Sequence, residues 1–216
     1  MIVPMTAAHV EQVTDVHRRS FQGFFLSFLG PRFLRLFYAA GVEYPQGVGY
    51  VYVNGSRVLG FVFGTPSPGA FYRFLLKTRW LKFALAASGR ALRYPAIIPR
   101  LFRAWRYPGQ AVQHAESATL MSIAVDPEAQ RAGIGAELVR AFVEALRARG
   151  VRRVDLTTDR LNNDGVHAFY LRQGFRCERT FVTPEGREMS EYVMTLCAGA
   201  QPLPGAREVH DAEASM

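Results

Sequence analysis

A chain of 216 residues can bury one sizeable core, and 49% hydrophobic with 20% charged residues is a globular composition with an apolar bias. It has no run of 18 apolar residues, so no spanning helix is expected, and no basic-then-apolar N-terminus, so no secretory signal. The two cysteines, Cys177 and Cys197, lie far apart with no C-x-x-C, which suits free thiols in a reducing cytosol.

The net charge of +8 is unevenly placed. Residues 44–115 contain no Asp or Glu and carry ten Lys and Arg, so the rest of the chain is slightly acidic.

In chain order, residues 2–5 read as a short strand. Thr6 is placed to cap a helix running to about Phe21, with Val10, Val13, Val16 and His17 on its inner face. Residues 22–29 hold five large apolar groups (Phe24, Phe25, Leu26, Phe28, Leu29) and read as a lid. Gly30-Pro31 starts a second helix with Phe33, Leu34, Phe37 and Tyr38 as its apolar residues, and Gly41 closes it. Residues 48–53 and 58–63 form a hairpin around Asn54-Gly55, and the run from Thr65 to Gly69 ends it.

Residues 70–110 read as a basic, aromatic helical insertion. Its first part, 71–87, is apolar on nearly all sides. Pro99 then starts a short helix with Arg100, Arg103 and Arg106 on one face and Leu101, Phe102 and Trp105 on the other. Three readings fit: a helical cover over the sheet with solvated arginines, contact with an anionic membrane surface or lipid-linked substrate, or docking of an anionic soluble substrate. No nucleic-acid-binding module is visible.

Residues 116–125 read as a strand that Asp126-Pro127 stops, since proline has no ladder donor. Gln130-Arg131-Ala132-Gly133-Ile134-Gly135 follows, and then a helix with Ile134, Leu138, Phe142, Ala145 and Leu146 at helical spacing, closed by Gly150. Such a strand–glycine–helix junction suits an anion. The first N–H groups of a helix have no internal partner, the dipole makes that end positive, and glycines admit a phosphate to the backbone. Arg131 adds a charge at the mouth. There is no G-x-x-x-x-G-K-[ST] and no G-x-G-x-x-G. A tight turn before an amphipathic helix is the plain alternative. Beyond it, 151–158 is a strand, 163–173 a helix, and 175–182 with 189–196 a hairpin. The polar segment 198–216 is expected to be a disordered tail on a single domain of residues 1–197.

The run Ile123-Ala124-Val125-Asp126-Pro127 followed by Gln130-x-x-Gly133-x-Gly135 resembles the acetyl-CoA signature of the GNAT family of N-acetyltransferases. Asn163, then Ala168-Phe169-Tyr170, then Gly174-Phe175 resembles the second half of that family's pattern. The resemblance is good over 120–196, weak over 2–69 and absent over 70–115.

The resemblance implies an α/β fold: a mixed, mostly antiparallel central sheet flanked by helices. It implies acetyl-CoA as co-substrate. Backbone groups of the Ile123-Ala124-Val125 strand should pair with the pantetheine arm. N–H groups of Arg131, Ala132, Gly133, Gly135 and Ala136 should hold the pyrophosphate, with Gln130 and Ile134 in the same acetyl-CoA site. Asn163 stands at the pantetheine-contacting position, and Tyr170 at that of the general acid for the leaving thiolate. Val125 or Ile123 is expected to give the oxyanion N–H. A core aromatic is the plain alternative for Tyr170.

The family often takes its base from a Glu on the strand before the glycine loop. Glu116 is the acid available there, although nine positions from Val125 span about 30 Å of strand. His114 and His17 are the fallbacks. No metal set is visible, since the five histidines are scattered without nearby ligands.

Three functions follow from this resemblance. One is acetyl transfer to a small or surface-linked primary amine such as an amino sugar. Another is protein N-terminal or lysine acetylation, and the third a non-catalytic acetyl-CoA-binding, membrane-docking module. A cytoplasmic location is expected, membrane-associated if 70–110 docks. The oligomeric state is open, a dimer included.

Overall fold

The computed structural model describes residues 1–21, 27, 29–93, 116–184 and 186–196. The apolar segment before Gly30 falls largely outside these residues. So do the expected short helix at 99–107, His114, Cys197 and the tail 198–216.

The elements are β1 (Ile2–Pro4), α1 (Val10–Ser20), α2 (Pro31–Glu43), β2 (Val48–Asn54), β3 (Arg57–Thr65), α3 (Pro68–Arg93), β4 (Ser117–Val125), α4 (Ile134–Ala148), β5 (Arg153–Asp159), α5 (Asp164–Arg172), β6 (Arg176–Val182) and β7 (Glu188–Thr195). Local signals set most boundaries. The Thr6 N–H donates to His9 Nδ1 at 3.1 Å, although the first turn is a short 3₁₀ segment and α1 proper begins at Val10. Pro31 opens α2 where its missing N–H is harmless. Gly55, at φ +59°, makes the β2–β3 turn.

The strands form one seven-stranded sheet in the order β1-β2-β3-β4-β5-β7-β6. Neighbours are antiparallel except β4 and β5. This is the mixed, mostly antiparallel sheet with flanking helices that the resemblance implies.

The core lies on both faces. On one, Val13, Val16, Leu34, Phe37, Tyr38, Phe61, Phe63 and Phe71 bring α1, α2 and the start of α3 onto the sheet. On the other, Leu138, Phe142 and Leu146 of α4 pack on Val62, Val154 and Leu156. Burying each such side chain contributes about 2 kcal/mol. In α3, Phe71, Leu75 and Phe83 are buried and Arg79 pairs with Glu43 of α2, while Trp80 and Leu81 are exposed.

One irregularity interrupts the β3–β4 ladder. Phe63 pairs with Ser122 and Gly64 with Leu120, so Met121 is an extra residue in β4. The bulge switches which face each side chain takes. Ala118 and Leu120 belong to the α4-side core, whereas beyond Met121 it is Ile123 and Val125 that pack there and Ala124 that joins the α1/α2 core. Ser122 thereby turns toward α2.

Candidate functional site

β4 and β5 are paired over only three residue pairs, Ser117–Thr119 with Arg153–Asp155. A hydrogen bond from Thr119 Oγ1 to Asp155 Oδ2, 2.9 Å long, closes the last of these. Both strands then run on without pairing to each other, β4 to Val125 and β5 to Asp159. The gap between them is a cleft of about 1060 Å³. Leu120–Val125 line one side, Leu156–Asp159 the other, and the starts of α4 and α5 and the end of α1 complete the walls.

The opening exposes ladder groups of β4. The Asp126 N–H donates to Leu59 O of β3 at 2.8 Å. Backbone directions alternate along an antiparallel strand, so Ala124 and Ser122 also turn their polar groups to β3, and Val125 and Ile123 turn theirs into the cleft. The Val125 carbonyl there accepts the Ser20 hydroxyl at 3.1 Å.

At the end nearest α4 the cleft is walled by the turn into that helix. Gly133 caps the helix in the left-handed region at φ +79°, and Arg131 shares that region at φ +66°. Gly133 supplies no side-chain cap, and the first backbone bonds into the helix come from Ala136 and Glu137 to Gly133 O. Among the described residues, the N–H groups of Arg131 through Gly135 therefore find no acceptor in the chain. Gly135 is small for another reason: a Cβ there would sit 3.2 Å from the Phe169 ring of α5.

Asp126 braces this loop from below. Fully buried, it accepts hydrogen bonds from the Glu128 N–H, from Arg57 at 2.9 Å and from Arg19 of α1. Burial pushes its carboxyl up, but the Glu128 N–H and the two arginines outweigh that and hold it below the usual range.

Tyr170 of α5 stands in the wall, 6% exposed, with its ring against Phe169, Phe175 and Tyr192. Burial raises its phenol above the ordinary value of 10, so it is protonated at neutral pH. Asn163 precedes α5 and spends its amide on the β5 end, donating to Thr158 Oγ1 at 2.8 Å and to Asp159 O at 2.9 Å. Arg187, also in the wall, grips Asp159 at 2.6 and 2.7 Å.

On the α1 side a buried polar chain crosses the apolar core. His17 Nδ1 is hydrogen-bonded to Tyr38 Oη at 2.6 Å, and Tyr38 Oη to Ser122 Oγ at 3.0 Å. Burial lowers His17 from the ordinary 6.5 to about 4. The unfolded chain therefore binds an extra proton between those values. Stability is complete above about 6.5 and falls with pH to about 4, by about 3 kcal/mol in all. Urea unfolding at about pH 7 and about pH 4 should show this loss in the native chain and lack it in His17→Gln, and equal losses in both would refute the assignment.

Of the residues expected at the site, Ile123, Ala124, Val125, Gln130, Arg131, Gly133, Ile134, Gly135, Ala136, Asn163 and Tyr170 all line the cleft. Ala132 is in the loop but not in the cleft wall. Glu116 is not brought there. It precedes β4 at the paired end, forms an ion pair with Arg152 at 3.0 Å, and lines a separate hollow with Arg149 and Val151. The sequence gives no site role to Ser20, Ser122, Tyr38, Asp126 or Arg187. Tyr38 reads there as an inner aromatic of its helix and Asp126 as part of an Asp-Pro strand stop. Among the described residues no cluster of three or more His, Cys, Asp or Glu stands ready for a metal ion, and no helix is long and apolar enough to cross a membrane.

The family model described as acetyltransferase (GNAT) family matches residues 10–175. The [ribosomal protein bS18]-alanine N-acetyltransferase of Escherichia coli K12 is 38% identical over 78 residues, 34% of this chain and 51% of that protein. The chain spans about half the length of the curated relatives it matches. Among solved structures, one described as SsHAT aligns over 90% of this chain and 97% of its own with TM-score 0.63 and 24% identity. PaiA N-acetyltransferase from Thermoplasma acidophilum, in complex with coenzyme A, aligns over 88% and 96% with TM-score 0.54 and 14% identity. At these identities the likeness is one of fold.

Proposed function

The chain belongs to the acetyltransferase (GNAT) family, and we propose that it moves the acetyl group of acetyl-CoA to a primary amine. The observation that carries this is the unpaired stretch between β4 and β5, with open N–H groups at one end and a protonated tyrosine in its wall.

The pantetheine arm fits the free edge of β4 as an added strand, its amides meeting Ile123 and Val125. The pyrophosphate fits the N–H groups of the loop from Arg131 to Gly135, with the α4 dipole and Arg131 offsetting its charge. Asn163 holds the opposite wall. The coenzyme A bound to the structural neighbour PaiA supports a coenzyme A site in this fold. The thioester supplies an activated acyl carbon. The amine nitrogen attacks that carbon, the C–S bond breaks, and the sulfur takes the proton of Tyr170. Glu116 has no part in this, since its carboxylate is held at the far end of β4 by Arg152.

For the acceptor, the bS18-alanine activity of the relative supports a protein α-amine. The basic, acid-free stretch 44–115 favours instead an amine carried on an anionic surface or lipid-linked carrier, such as an amino sugar. A free-thiol release assay with acetyl-CoA against glucosamine and an alanine-starting peptide decides between them. No release with these or any other amine in a broad panel would leave acetyl transfer without support.

Gly135→Val presses directly on Phe169 and tilts the first turn of α4. The acetyl-CoA Kd is expected to rise about tenfold, near 1.4 kcal/mol, with little change in kcat. Calorimetric titration measures it, and an unchanged Kd would move the phosphate site elsewhere.

A further inference from the structure

We infer that Ser122, Tyr38 and His17 form a proton relay that carries the proton of the attacking amine away from the cleft. The inference rests on the acetyl-transfer reading and adds the missing acceptor of that proton.

The chain begins in the cleft wall. Ser122 and His17 both line the cleft, and Tyr38 lies behind them, fully buried. Ser122 faces this side of β4 because Met121 is an extra residue; without the bulge its hydroxyl would point toward α4 with Leu120. The two links, 3.0 and 2.6 Å, are both hydrogen-bonding distances.

Packing alone does not account for Tyr38. Its ring touches Phe37, Phe61 and Phe63 edge-on, a setting that a phenylalanine would fill. Its hydroxyl reaches only His17 and Ser122 among the described residues. Among the described residues His17 Nε2 is buried with no hydrogen-bond partner, so there the ring is not held as a doubly bonded structural histidine. His167 shows the contrast: it meets Tyr192 Oη through one nitrogen and Arg160 O through the other.

In the working direction the Ser122 O–H donates to Tyr38 Oη, and the Tyr38 O–H donates to His17 Nδ1. As the neutral amine forms its bond to the acetyl carbon, its surplus proton passes to Ser122 Oγ. The Ser122 proton moves to Tyr38, and the Tyr38 proton to His17. The C–S bond breaks and the sulfur takes the Tyr170 proton. The nitrogen has lost one proton and the sulfur has gained one. Exchange with water then returns His17 and Tyr170 to their resting forms.

The test uses the full chain with acetyl-CoA and, as acceptors, glucosamine and an alanine-starting peptide. Tyr38→Phe and Ser122→Ala should each lower kcat about a hundredfold while the acetyl-CoA Kd stays within about twofold. The Tyr38→Phe/His17→Gln double variant should be no slower than its slower parent, because the three groups act as one unit. Ser122→Ala removes one oxygen, so it reports even if a Tyr38 variant folds poorly. If both single variants, intact by thermal melting, keep kcat within about threefold, the relay is overturned and acetyl transfer stands. If the native chain binds no acetyl-CoA, acetyl transfer falls and the relay falls with it.

Discussion

Tyr170→Phe is expected to lower kcat for acetyl transfer by about a thousandfold while leaving acetyl-CoA binding intact. The substitution removes one oxygen from a ring that keeps its contacts with Phe169, Phe175 and Tyr192. Those ring contacts survive the change, so little is lost in the resting fold. What it removes is a proton that burial keeps on the phenol in the cleft wall. A thiolate leaving without a proton leaves as a poorer group, and that penalty falls on the chemical step. Burial also fixes a sign. The phenol stays protonated beyond its ordinary 10, so kcat should show no alkaline decline assignable to Tyr170 below about pH 10. Steady-state kinetics with calorimetric binding checks both statements. A kcat within about threefold of the native chain would return Tyr170 to the status of a core aromatic.

Gly64→Val should damage the fold severely. A Cβ at Gly64 would sit 2.3 Å from the Thr119 carbonyl and 2.6 Å from the tip of the Phe142 ring. Neither neighbour is free to yield, because one is backbone in β4 and the other is a buried ring of α4. The clash also falls where β3 and β4 change register. We expect a loss of about 3 kcal/mol or more, or roughly 10 °C in Tm for a chain of this length. Activity should fall with it, because the same strand pair sets the facing of Ser122. Thermal unfolding followed by circular dichroism measures the shift, and a change under about 2 °C would show that β3 and β4 separate easily at this point.

The parts of the site that are local in sequence were legible there. Gly133 and Gly135 announce the turn into α4. Asn163, Tyr170 and Gly174-Phe175 stand at fixed offsets on one short helix and its exit. Outside 70–115 the described strands and helices followed in turn from proline, glycine and alternation signals, and their ends shifted by only a few residues.

The illegible parts are those made by distance or by an irregularity. His17 and Tyr38 are 21 positions apart, and Tyr38 and Ser122 are 84 apart, so no window contains the chain they form. In the helix pattern Tyr38 is simply another inner aromatic. The bulge at Met121 is hidden because β4 is packed on both faces. Ser117–Val125 is almost wholly apolar or small and gives no sign of where alternation breaks. Glu116 is the acid that the sequence sets on this strand, but the paired end of β4 carries it away from the cleft toward Arg152.

The pairing of those two strands also determines where the molecule can flex. β1 to β4 form one continuous ladder, and β5, β7 and β6 form another. The two leaves share a spine only three residue pairs long, with the Thr119–Asp155 hydrogen bond at its end. A hydrogen-bonded leaf is stiff in its own plane, so the compliance of the sheet is concentrated at this spine. The molecule is built like a book held slightly ajar, and the lever arms on either side are the strands that line the cleft. A small rotation at Ser117–Thr119 is magnified toward Val125 and Asp159, where the glycine loop and the Arg187–Asp159 pair stand. The width of the opening is thus governed from its narrow end.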